Sequence, residues 1–143
     1  SDEINSLKVF EDDFVVMHRD GHDLASNNNP TVDDILEQKH LHVSGRKRGL
    51  HLIDVELDKI GYRRKVALRC QHFLIAPTII QSTDLVLMGT RSFANRNSLP
   101  YVEIPIEIPS MEYFLIWHKS DEGDGGHNWM KDLIIRAFKD ALR

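Results

Sequence analysis

Apolar positions along the chain fall in short runs, and the spacing within each run separates strands from helices. Two runs open the chain, Leu7 to Phe10 and Phe14 to Met17, with Asp12 and Asp13 between them. The second, FVVM, has no polar position, which predicts a strand covered on both faces. Asn27, Asn28, Asn29 and Pro30 break the pattern. Thr31 followed by Asp34 then predicts the cap of a short helix over 32–38, with Val32, Ile35 and Leu36 facing one way. Next come a predicted strand over His40 to Val43, a loop from Ser44 to Gly49, and a helix carrying Leu50, Ile53, Leu57 and Ile60 that Gly61 stops.

Val66, Leu68 and Cys70 alternate with polar neighbours as in a strand, and Phe73 to Gln81 has helical spacing. Pro77 has no N–H to donate, so this helix starts no earlier than about Leu74. DLVLM, Asp84 to Met88, predicts a strand and Arg91 to Arg96 a short helix. Leu99 to Pro109 contains three prolines, and YVEIPIEI within it alternates as a strand exposed on one side, on an edge or crossover path. YFLIW, Tyr113 to Trp117, predicts a second doubly covered strand. After DEGDGG, the residues Trp129, Met130, Leu133, Ile134, Ala137 and Ala141 form the apolar stripe of a final helix. Strand and helix alternate throughout, which predicts an α/β fold with a mixed, mainly parallel sheet flanked by helices.

Composition narrows the functional classes. The 143 residues suffice for one compact domain, and 41% hydrophobic with 28% charged residues is the balance of a globular chain. A net charge of −4 excludes this segment as the grip on a nucleic-acid backbone, which needs clustered cations. No apolar run approaches the roughly 18 residues of a membrane span, and the acidic start SDEINS is unlike a signal peptide, so a cytoplasmic setting is expected. Cys70 is the only cysteine, which excludes an internal disulfide and predicts a buried thiol at a strand end.

Candidate chemistry is sparse. Of the eight histidines, His40 and His42 share a strand face, but no third ligand lies near them in sequence, and no metal site is assigned. His18, His22 and His118 fall at strand ends, where partial exposure accounts for them. Asp33, Asp34, Glu103 and Glu107 sit at helix-start and crossover positions that give no reason for shifted acidity. Ser44 precedes a glycine without completing a nucleophile elbow, so no triad, no cofactor and no enzymatic activity are expected. Trp117, Trp129 and Met130 are expected to be core residues pinning the last helix to the sheet.

Ligands of α/β sheets collect beyond the C-terminal ends of strands, where helix N-termini offer free N–H groups. Two such places are Ser44, Gly45 and Arg46, and Gln71, His72 and Phe73. The first opens SGRKRG, whose three cations favour a carboxylate or another small anion. The second offers hydrogen bonds and an apolar wall.

Trp117-His118 followed by His127, Trp129 and Met130 resembles the WH and H-x-W-[ML] pattern that closes one branch of the LysR-type transcriptional regulators. The order before it is also similar: Ser82 to Leu85, the strand Val86 to Gly89, the short helix Arg91 to Arg96 and the proline-punctuated Leu99 to Pro109. At the other end, FEDDFVVMHRDGHDL resembles the family's strand entering the second subdomain, with Asp23 where proline is usual. The segment from His40 to Phe73 resembles the family's strand, loop, helix and strand.

That resemblance implies a partial effector-binding domain of type 2 periplasmic-binding-protein-like fold with two crossover strands. It makes about 18–108 subdomain II, and assigns 1–17 and 109–143 to the crossover strands and a C-terminal helix associated with subdomain I. It places the two candidate sites at the cleft between subdomains. It further implies a small anionic or aromatic effector, DNA contact only through an N-terminal helix-turn-helix outside this chain, and a homodimer or homotetramer of the whole regulator. A solute-binding protein or small α/β enzyme of similar fold is the alternative.

Overall fold

The computed structural model describes residues 3–45 and 51–141. In chain order its elements are β1 (Ile4–Asp12), β2 (Phe14–Met17), α1 (Val32–Leu36), β3 (Lys39–Val43), α2 (Leu52–Lys59) and β4 (Lys65–Cys70). There follow α3 (Ala76–Ser82), β5 (Leu87–Thr90), α4 (Arg91–Arg96), β6 (Tyr101–Glu103), β7 (Met111–His118) and α5 (Gly125–Ala141). They form two compact units, Asp13–Pro109 and Ser1–Asp12 with Ser110–Arg143. Phe14–Met17 lies inside the first of these.

In the Asp13–Pro109 unit, β2 pairs antiparallel with β5 on one side and β6 on the other. β3 pairs parallel with β4. Two backbone hydrogen bonds, Leu41 N–H to the Val86 carbonyl at 2.9 Å and Val86 N–H to the Lys39 carbonyl at 3.0 Å, join β3 to the chain entering β5. The resulting strand order is β4-β3-β5-β2-β6, with every strand but β2 running the same way. The mixed α/β class is as expected. The predominance of parallel strands holds for direction but not for pairing, because β2 is inserted antiparallel between β5 and β6. Both of its neighbours come from far later in the chain, so no local pattern in FVVM could set its direction.

FVVM is buried along its whole length, as its composition predicts. Side chains of successive strand residues point to opposite faces. On one face Val15, Met17, Leu41, Val43 and Leu87 pack with Ala76 and Ile80 of α3 and Ala94 of α4. On the other face His40 and His42 meet α1 and α2, whose Ile35, Ile53 and Leu57 are buried. α1 begins at a reciprocal cap: Asp34 N–H donates to Thr31 Oγ1 at 3.2 Å and Thr31 N–H donates to Asp34 Oδ2 at 2.8 Å. α2 ends at Gly61, whose φ of 81° lets Tyr62 N–H turn back to the Leu57 carbonyl at 2.8 Å. Pro77 occupies the first turn of α3, preceded by a single 3-10 turn at Phe73–Ile75. β6 is shorter than the alternation of YVEIPIEI suggests. Only Tyr101–Glu103 pairs, and the chain leaves the sheet before Pro105, which has no N–H for a ladder.

The other unit is a two-stranded antiparallel ladder of β1 and β7, running from Ile4↔His118 to Asp12↔Met111, with α5 on one face. Phe10 stacks on Tyr113 with ring centroids 5.5 Å apart, and Phe138 of α5 lies 6.3 and 6.5 Å from the two rings. Lys131 Nζ lies 4.7 Å above the Trp117 ring. β7 is therefore covered on one face, not two: Tyr113, Leu115 and Trp117 are half-buried while Phe114 and Ile116 are exposed. The packed face of α5 also differs from the expected stripe. His127, Lys131, Ile134, Ile135 and Phe138 are half-buried, whereas Trp129 is 59% exposed and Met130 and Leu133 are exposed with it. Trp129 and Met130 are thus not core within this chain. α5 carries apolar residues on two faces, and its period alone could not say which of them the ladder would take.

Candidate functional site

β3 and β4 are parallel neighbours in a register that pairs Val43 with Cys70, so the two chains leave the same edge of the sheet together. Ser44 N–H continues the ladder by donating to the Cys70 carbonyl at 3.0 Å. This brings Ser44 and Gly45 beside Gln71, His72 and Phe73, two groups separated by more than twenty residues of sequence. Arg46, with the rest of the cationic run to Leu50, lies outside the described residues.

Gly45, Gln71 and His72 are exposed, and Ser44 is half-buried. Among the described residues, its chain neighbours aside, nothing lies within 4 Å of where a Gly45 Cβ would stand. His72 caps the turn before α3 by position, but its imidazole makes no capping hydrogen bond. Phe73 was expected to offer an apolar wall; it is 46% exposed and meets the Phe93 ring edge-on at 5.5 Å between centroids. Leu74 beside it is 95% exposed and Ile75 half exposed. The edge thus combines the exposed Gly45 backbone, the exposed His72 imidazole and aromatic surface, which suits a small molecule with a polar and an apolar end. Cys70 is half-buried with Sγ 3.8 Å from the His72 carbonyl, and not fully buried as expected, because β4 is an edge strand.

A second set of polar groups, which sequence reasoning did not assemble, sits behind this edge. The Arg64 side chain is almost wholly buried, with Nε 2.6 Å from Asp54 Oδ1 and Nη2 3.0 Å from Asp54 Oδ2. Arg64 Nη2 also donates to His42 Nδ1 at 2.9 Å. Ile53 N–H donates to His51 Nδ1 at 3.3 Å, capping α2, and the His42 and His51 rings meet edge-on at 5.6 Å. His40 Nε2–H donates to the Ile35 carbonyl at 3.0 Å, and its buried Nδ1 has no partner. Burial, with Arg64 nearby, pushes the His40 pKa down to about 4; the same two causes lower His42 and His51. Burial alone would raise Asp54, but the hydrogen bonds and charge of Arg64 outweigh it and hold the carboxyl below its ordinary value.

The remaining candidates fall into structural roles. His18 and His22 are buried, contrary to the expected partial exposure: His18 Nδ1–H donates to the Arg19 carbonyl at 2.8 Å, His22 Nε2–H donates to the Asp84 carbonyl at 3.1 Å, and His22 Nδ1 accepts from Leu24 N–H. His118 is exposed, with Nε2 3.3 Å from Glu3. Asp34 is the helix cap, and Glu103 forms a two-pronged ion pair with Arg91 at 2.7 and 2.8 Å.

The match to known proteins is decisive for the family: the model of the LysR substrate binding domain covers residues 1–139. The chain belongs to the LysR substrate binding domain family. Over 138 residues it is 27% identical to the transcriptional activator NagR of Ralstonia, covering 94% of this chain and 46% of that protein. This LysR domain thus spans less than half the length of that relative. The regulatory domain of MexT, a transcriptional activator in Pseudomonas aeruginosa, shares its fold with a TM-score of 0.77 at 22% identity, over 95% of this chain and 66% of that one. The effector-binding domain of QuiR, solved in complex with shikimate, shares it with a TM-score of 0.71 at 18% identity, over 98% and 68%. The fold is therefore that of LysR effector-binding domains, the type 2 periplasmic-binding-protein-like class. No helix among the described residues is long and apolar enough to cross a membrane.

Proposed function

We propose that this LysR domain senses a small anionic or aromatic effector at the edge where β3 and β4 end, through Ser44, Gly45, Arg46, Gln71, His72 and Phe73. The observation that carries the reading is the parallel register of Val43 with Cys70, which sets these two loops side by side. Exposed Phe73 provides the aromatic contact, and the backbone at Gly45, with the cation of Arg46, provides for a carboxylate, Ser44 anchoring this turn to β4 through its N–H. The carboxylate ligands of two relatives, shikimate on QuiR and benzoate on BenM, support this chemistry. The domain is not an enzyme. Its effector acts by binding one conformational state more tightly than another, since equal affinity for both would shift nothing.

In the whole regulator, DNA is contacted by an N-terminal helix-turn-helix outside these residues, in a cytoplasmic homodimer or homotetramer. Residues of about 18–108 act as subdomain II. The Ser1–Asp12 and Ser110–Arg143 unit is the part of subdomain I that this chain contributes. Its exposed apolar faces, Phe114 and Ile116 on the ladder and Trp129, Met130 and Leu133 on α5, are covered there by the remainder of subdomain I. The roughly one third of the MexT domain left unmatched supports that reading.

The test is a thermal-shift screen of small carboxylic acids, benzoate and shikimate included, on the complete effector domain with Arg46→Ala and His72→Ala beside it. A hit whose shift is lost in either variant supports the assignment. Equal shifts in both variants and the parent remove these contacts from the site.

A further inference from the structure

The cluster of His42, His51, Asp54 and Arg64 has no role in the proposed effector contacts, yet it occupies the junction of three elements. His42 belongs to β3, His51 and Asp54 to the first turns of α2, and Arg64 to the chain entering β4. Its hydrogen bonds fix the protonation state. An arginine can only donate, so the 2.9 Å bond from Arg64 Nη2 requires an unprotonated Nδ1 on His42. Ile53 N–H likewise requires an unprotonated Nδ1 on His51. Both rings are neutral while α2 is seated.

We propose that this cluster is a proton-operated latch on α2, closed while His42 and His51 are neutral and released as acid protonates them. A proton on His42 Nδ1 meets the Arg64 guanidinium, which already donates there, and turns an attraction between donor and acceptor into a repulsion between two cations. The described groups facing His42 are mostly positive or become so: Arg64 and Arg69 from the β4 side, His40 on its own strand, and His51 from α2. Asp54 is the single carboxylate among them, with Oδ2 at 3.8 Å from His42 Nδ1, and both its oxygens are already taken by Arg64. A protonated His42 therefore competes with Arg64 for Asp54, and a protonated His51 withdraws its cap from Ile53. Either event frees the first turn of α2. Burial and the Arg64 charge lower the pKa of both histidines, as a closed latch requires.

The latch is independent of the effector assignment, because α2 itself reports on it. Backbone amide protection would be measured by hydrogen exchange on the 143-residue chain at pH 7.5 and 5.5, for α2 relative to β2 in the centre of the sheet. The expected result is a fall in the α2-to-β2 ratio that approaches about tenfold per pH unit below roughly 6.5, the limit for uptake of one proton. In the double variant His42→Gln/His51→Gln, whose amide oxygens can still accept from Arg64 and Ile53 and cannot be protonated, the ratio should stay level. An unchanged ratio in the parent overturns the proposal, and so does the same fall in the double variant. Should the double variant fail to fold, imidazole titration by NMR on the parent decides. Apparent pKa values for His42 and His51 at or above the free-imidazole value overturn it, and values below it, with α2 amides shifting in step, support it.

Discussion

Arg64→Met removes the cation from the most deeply buried ion pair among the described residues while keeping most of the aliphatic stem. Three hydrogen bonds are lost, two to Asp54 at 2.6 and 3.0 Å and one to His42 at 2.9 Å. Breaking a buried pair from one side costs about 3–5 kcal/mol, because the partner charge stays behind without compensation. Asp54 keeps 23% of its side-chain exposure, so water relieves part of the penalty and the lower end, about 3 kcal/mol, is expected. With a urea slope of about 1.5 kcal/mol/M for a unit of this size, the unfolding midpoint followed by circular dichroism should fall by about 2 M. The double variant Arg64→Met/Asp54→Leu leaves neither charge stranded and should recover to within about 1 kcal/mol of the parent. A single-variant loss below about 1 kcal/mol, or a double variant as unstable as the sum of its parts, would refute this account of the pair.

Four further outcomes follow from the same structure. His40, neutral in the fold with a pKa of about 4 against an ordinary value of about 6.5, contributes stability that is complete above pH 6.5 and lost as pH falls toward 4; urea midpoints should show about 2 kcal/mol of this gone at pH 5, and His40→Gln should abolish that part of the pH dependence. Ile80→Ala, at a fully buried α3 position in the main core, should cost about 2–5 kcal/mol by thermal or urea unfolding; a cost below 1 would mean that α3 is not seated on the sheet. Thr31→Ala removes the hydroxyl half of the α1 cap, leaving the Thr31 backbone N–H bond to Asp34 in place, and should cost about 1 kcal/mol in the same assay, with Thr31→Ser nearly neutral. Phe114→Ser together with Ile116→Thr alters only exposed apolar surface, so sedimentation should show less self-association of the isolated chain at unchanged helix and strand content.

The sequence determined most of the local structure, because each element carries its own signal. FVVM has no polar position and proved to be an interior strand; Thr31 with Asp34, Pro77 and Gly61 set helix ends through capping, a missing N–H and a left-handed turn. The loops after β3 and β4 were legible as helix-entry segments. Their meeting was not, since it depends on a parallel register between strands more than twenty residues apart. Tertiary structure alone decided the reversed insertion of β2 between β5 and β6 and the choice between two apolar faces of α5. It also decided the histidines. His18 and His22 read as strand-end residues and His40 and His42 as sharing one strand face, and what each became depended on the carbonyls, guanidinium and carboxylate that the fold set against it. Periodicity and capping act over a few residues and can be read in order along the chain, whereas burial and charge pairing are properties of neighbours in space that exist only once the chain has folded.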